Sequence, residues 1–175
     1  AMSHPTLTII RDEHGALAAM LRSLQLLLDE HRRKGSLPDF SVLRAMLFYV
    51  DEFPERLHHT KESKLLFPKV RARCPEAAEV LSRLDRDHER GEKAIRDLEH
   101  DLLAFEVLGS SRRAAFESSV KRYIEFYLAH MAVEENEVLP LAMKHFSAED
   151  WAELDAAFLA NRDPLTGHEP SDEFR

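Results

Sequence analysis

The chain has 175 residues, 44% of them hydrophobic, which is enough apolar material for one compact domain and too little length for two. A net charge of -8 with no basic stripe excludes nucleic acid as a partner, and five glycines with a 32% charged fraction favour long helices over short strands joined by tight turns. The lone Cys74 forbids an internal disulfide and points to a reducing compartment; with no leader-like N-terminus and no long apolar run, the expectation is a soluble cytoplasmic protein without a membrane partner.

The first predicted helix carries Leu7, Ile10, His14, Leu17, Leu21, Leu24 and Leu28, whose alternating steps of three and four mark a bundle-facing seam. Gly35-Ser36-Leu37-Pro38 reads as the turn, and Asp39 as the cap of a second helix running through Phe40, Leu43, Leu47 and Val50 toward His58, Glu62 and Leu65. Pro54 removes an amide and clashes with the carbonyl of Val50, which predicts a kink one turn before His58, and Pro68 or Pro75 ends the element. The third helix begins near Pro75 and follows Ala77, Leu81, Leu84, His88, Gly91, Ile95, Leu98, Leu102 and Phe105. The fourth carries Phe116, Val120, Tyr123, Tyr127, His130, Glu134 and, beyond Pro140, Leu141; Glu134 rather than Glu135 continues the inward stripe. A short fifth helix from about Ala148 to Leu159 presents Trp151, Leu154 and Phe158 to the bundle or to another subunit, and residues 161–175 read as a loose tail. The fold class is therefore all-α: an up-down-up-down four-helix bundle domain over residues 1–160, with a short fifth helix and a C-terminal tail.

Four histidines fall on the seams at matching distances from the turns. His14 lies 22 residues before Ser36 and His58 21 after Leu37, while His88 lies 21 before Gly109 and His130 20 after Ser110. In an up-down bundle, that spacing brings all four imidazoles to one height, roughly 30 Å from the end bearing the turns. Residues four apart share a helix face, so His58 with Glu62 and His130 with Glu134 each present a nitrogen and an oxygen to one centre. A mixed imidazole and carboxylate set suits iron, manganese or zinc, and the economical arrangement is a dinuclear site with Glu62 and Glu134 as bridges and the histidines as terminal ligands. A single histidine on an apolar stripe is more often a core residue than a ligand; four at one height, two with inward glutamates, reverse that weighting. His59 points elsewhere and reads as a residue behind the ligands or in a channel, and His4, His31, His100, His145 and His168 read as solvated. Tyr49, Phe53, Phe67, Tyr123, Phe126 and Tyr127 read as core that can also wall a pocket for a small gas.

His14, His58-His59-x-x-Glu62, His88 and His130-x-x-x-Glu134, in that order over about residues 5 to 146, resemble the hemerythrin-like, His-His-Glu cation-binding proteins. The resemblance implies a non-haem di-iron centre in which His14 and His58 serve one iron and His88 and His130 the other, with dioxygen, peroxide or nitric oxide as the small-molecule partner. Oxygen-carrying members have a second histidine four residues after the one on the third helix; Glu92 stands there and is a candidate ligand in its place. That substitution makes the site richer in carboxylate, favours the ferric state and argues against reversible oxygen carriage. Their final carboxylate aligns with Glu135, the second choice after Glu134. Two functional classes follow: a redox-active di-iron protein that binds or reacts with the small molecule, and a metal-sensing or iron-storage module read by a protein partner.

Overall fold

The computed structural model describes residues 4–160; the expected tail, residues 161–175, lies outside the described residues, as does His168. Among the described residues, five helices follow one another: α1 (Pro5–Lys34), α2 (residues 40–73), α3 (Ala78–Leu108), α4 (residues 113–145) and α5 (Ala148–Ala160). α1 packs on α2, α2 on α3, α3 on α4 and α4 back on α1, which closes the expected up-down bundle. None of the described helices is long and apolar enough to cross a membrane.

Local chemistry sets the breaks. α1 stops where Gly35 adopts the left-handed conformation (φ 67°), which costs glycine nothing and lets its amide and that of Ser36 reach back to the Arg32 and His31 carbonyls. Asp39 then caps α2 by accepting from the Ser41 and Val42 amides. Pro68 does not end α2, because its missing amide is absorbed by a wider π turn just before it; the helix runs on to Arg73 and ends at Cys74, ahead of Pro75. Pro75 opens a 3-10 turn, Pro75–Ala77, leading into α3.

The core is in two parts. One cluster, toward the end bearing the 35–38 turn, joins Leu17 to Leu28 of α1 with Leu43, Leu47, Ile95, Leu102, Phe105, Phe116 and Val120. The other joins Leu7 and Ile10 with Leu66, Phe67, Leu81, Leu84 and Leu139, and is completed by Trp151, Leu154 and Phe158 of α5. Between them lies a buried polar layer containing His14, His58, Glu62, His88, His130 and Glu134. α5 thus docks on its own bundle, tied by the Asp155 carboxylate, which accepts from the Thr6 amide and hydroxyl, and by Lys61, which donates to the Ala157 carbonyl. His4, expected to be solvated, stacks on Trp151 with ring centres 4.0 Å apart.

Candidate metal centre

Among the described residues, two groups of four buried side chains lie close enough to hold a cation each: His14, His58, Glu62 and Glu134, and Glu62, His88, His130 and Glu134. The two glutamates belong to both. Glu62 turns Oε2 to His58 Nε2 (3.1 Å) and His14 Nε2 (3.8 Å), and Oε1 to His88 Nε2 (3.3 Å). Glu134 turns Oε2 to His14 Nε2 (3.0 Å), and Oε1 to His130 Nε2 (2.6 Å) and His88 Nε2 (3.3 Å). Each carboxylate therefore divides its oxygens between two histidine pairs, the disposition a bridging ligand requires.

His88 Nε2 pairs with Glu134 Oε1 (3.3 Å) and His130 Nε2 (2.9 Å), but five other inner atoms are close without being satisfied. His14 Nε2, His58 Nε2, both Glu62 oxygens and Glu134 Oε2 are buried and make no hydrogen bond of acceptable geometry. Lone pairs pointing at a common centre are costly to bury unless something positive sits among them, and several such atoms in one layer fit a pair of cations. The donor set, two imidazoles and two shared carboxylates per position, suits iron, manganese or zinc.

The outer ring nitrogens are all held. His14 Nδ1 donates to Glu135 (3.2 Å), His58 Nδ1 to Glu13 (3.2 Å) and His130 Nδ1 to Asp87 (3.2 Å), while His88 Nδ1 meets the Ser63 hydroxyl (2.7 Å). The three carboxylates only accept, so they put the proton on Nδ1 of His14, His58 and His130 and leave Nε2 to face inward, whereas the Ser63 hydroxyl can donate to or accept from His88. The pattern is two-fold: the residue before each of His14 and His88 serves the histidine of the next helix, and the residue after each of Glu134 and Glu62 serves the remaining two. Glu135, with its side chain 40% exposed against 1% for Glu134, thus takes the outer place and not the inner one.

Both shared glutamates open a π turn, Glu62–Leu66 and Glu134–Val138, closed by Phe67 and Leu139 amides donating to the Glu62 and Glu134 carbonyls. Pro68 and Pro140 stand six residues after them and are the cause, since neither can bond to the carbonyl four residues back. The extra residue per turn gives the same buried set after each glutamate, Leu66, Phe67 and Val70 in one helix and Val138, Leu139 and Ala142 in the other. A third π stretch, Asp51–His58, surrounds Pro54, where the sequence predicts a kink.

Six of the seven expected ligands, His14, His58, Glu62, His88, His130 and Glu134, meet in the layer. Glu92 does not. It is half-buried and lines an open cleft with Lys64 and Asp85, because the α3 seam passes through Gly91 and turns Glu92 to the edge. His59 is fully enclosed, stacked on His88 at 4.4 Å and on Tyr127 at 5.1 Å, with Nδ1 2.9 Å from Glu55. Burial and the charge of His88 hold His59 far below the usual imidazole range, so it is neutral, and burial lifts the Glu55 carboxyl to about 7.

Without metal, His14, His58 and His88 carry protons. Burial works against this, but the Glu62 and Glu13 carboxylates raise His58 to about 10, and Glu134 with Glu62 raises His88 to about 10. Burial and the Glu134 charge push Glu62 up, yet His58 and His14 overcome both and hold it below the carboxylate range. Because these histidines bind protons more tightly folded than unfolded, their stabilisation is complete below about 6.5 and is lost as pH rises through about 10. The metal-free protein should therefore melt at progressively lower temperature across that window, and adding zinc should release protons to an indicator dye. A flat pH profile with no proton release would contradict this charge state.

No curated protein matches the chain. The sequence profile described as the hemerythrin HHE cation-binding domain matches residues 6–142. That match takes in α1 to α3, most of α4 and all six side chains of the polar layer, and it makes this chain a member of the hemerythrin HHE cation-binding family.

Proposed function

We propose that the chain is a non-haem dinuclear iron protein that binds or reacts with a small molecule of the dioxygen, peroxide or nitric oxide class. The observation that carries this reading is the division of the Glu62 and Glu134 oxygens between two histidine pairs, with inner lone pairs left unsatisfied. Bound iron would supply one-electron redox changes and a Lewis-acidic coordination position. The protein's own part is to hold Nε2 of His14, His58, His88 and His130 inward through their outer partners and to keep bulk water out with the two flanking apolar clusters. Neutral His59 and the Glu55 carboxyl, buried beside the His88 pair, offer a proton store next to the ligands. The buried, unpaired Cys74 supports a reducing, cytoplasmic setting.

Metal analysis of protein from iron-supplemented growth, with an optical spectrum before reduction, after it and after return to air, tests the reading. Two irons per chain and a charge-transfer band that bleaches and returns are expected. Zinc with a silent spectrum would overturn the redox assignment and leave cation binding alone.

A further inference from the structure

The two-fold pattern of outer partners breaks at one residue. Glu135 follows Glu134 and holds His14; Ser63 follows Glu62 and holds His88. Three imidazoles thus lean on carboxylates and the fourth on a neutral hydroxyl. A carboxylate behind an imidazole makes a charge-assisted hydrogen bond, roughly twice as strong as a neutral one, and makes Nε2 a better donor to a cation. His88 lacks that support. Its ring faces lie against His59 and Phe67, so among the described residues Ser63 is the hydrogen-bond partner of its outer edge.

The same edge is the one that opens. A cleft of about 320 Å³ between α2 and α3 has buried His59 and His88 and half-buried Ser63 on its inner wall, with Glu89 and Glu92 toward solvent. The two other clefts described, one at Arg90 and Tyr123 and one at Cys74 and Arg83, touch none of the six inner side chains. At the opposite face, His58 is covered by Phe158 of α5, ring centres 6.2 Å apart. His58 of one cation position is therefore covered by the chain's own fifth helix, while His88 of the other lines a cleft beside Ser63.

We propose that the two cation positions are unequal, that a divalent cation enters and leaves the His88–His130 position through the cleft over Ser63, and that Ser63 sets the difference. This rests on the dinuclear reading above. It also gives Glu92 a place: at the mouth of the route, where a carboxylate attracts an incoming cation without holding it in the layer.

The test is a titration of metal-free protein with zinc alone, followed by calorimetry, with metal analysis after dialysis. Two steps are expected, separated by about 10–100-fold in affinity, the usual effect of an outer partner. Ser63→Asp and Ser63→Glu, whose longer side chains have the cleft to occupy, should narrow the gap by strengthening the weaker step, and Ser63→Ala should widen it. His130→Ala should delete the weak step and His14→Ala the tight one. Equal steps in the unmodified protein, Ser63 variants that move only the tight step, or His130→Ala deleting the tight step would each overturn the assignment. Fewer than two zinc ions per chain would instead bring down the dinuclear reading itself, and this proposal with it.

Discussion

Glu62→Ala and Glu134→Ala are each expected to cost the protein both cations, whereas alanine at any one of the four inner histidines costs one. The asymmetry follows from the oxygens: each carboxylate faces both histidine pairs, while each histidine Nε2 belongs to a single group of four. A cation position that loses one imidazole keeps one nitrogen and two carboxylates, and its neighbour is untouched. A position that loses a glutamate loses an oxygen on both sides at once, together with the negative charge that offsets two adjacent cations. The difference carries over to stability, since binding only to the folded state adds about 4 kcal/mol per position at a thousandfold excess over Kd. Melting with and without zinc should therefore show a large metal-dependent rise for the unmodified protein, a reduced rise for His14→Ala, and none for Glu62→Ala. Glu62→Ala protein retaining one tightly held ion would show that the carboxylate is not shared.

Gly91→Ala is the second large effect. A Cβ there would overlap the Tyr127 hydroxyl, lie 2.5 Å from Tyr127 Cζ and come within 2.9 Å of Glu55 Oε2. In the middle of α3, alanine would otherwise add about 1 kcal/mol of helix propensity. Overpacking typically costs about 1–3 kcal/mol, and Tyr127 is fully buried among packed side chains of the core, so destabilisation near the top of that range is expected. Because the Tyr127 ring packs edge-on against His130, 5.5 Å between centres, the displacement should also weaken metal binding. Gly91→Ala with Tyr127→Phe should recover only part of the loss, since the ring carbon remains too close. Gly15 is the control: nothing lies within 4 Å of its Cβ position, so Gly15→Ala should stabilise the protein slightly. Chemical denaturation of the metal-free forms measures all of these, and a Gly91→Ala protein as stable as Gly15→Ala would refute the close-packing argument.

The bundle and its histidine layer were legible because a helix converts sequence distance into height with little freedom. Counting residues from Ser36, Leu37, Gly109 and Ser110 was enough to place His14, His58, His88 and His130 together. Rotation about the helix axis was harder to read. Glu92 sits four residues after His88, close to the same face, but the seam steps through Gly91 and Ile95 and drifts the other way, so the residue three along faces in and the residue four along lies at the edge. The choice between Pro68 and Pro75 as the end of α2 stayed open for a related reason: a helix can widen by one residue instead of ending, and the matched spacing of Glu62 to Pro68 and Glu134 to Pro140 was the signal that it does so here. The outer roles of Glu13, Asp87, Glu135 and Ser63 were invisible to a reading that takes one helix at a time, which saw Glu135 only as an alternative to Glu134. Each lies beside one member of the inner layer in the chain but supports a histidine on another helix, and only tertiary packing reveals the crossing.

A bundle whose apolar interior is divided by a charged stratum is two short barrels stacked end to end. Each barrel has its own grease, and what joins them across the stratum is whatever neutralises it: protons in the bare protein, cations in the loaded one. Emptying the centre is therefore expected to weaken the joint more than either barrel, letting the half sealed by Trp151 and Phe158 loosen apart from the half holding Phe105 and Phe116. Loading is expected to rivet them into a single cooperative body, so that occupancy is read in how the whole molecule comes apart.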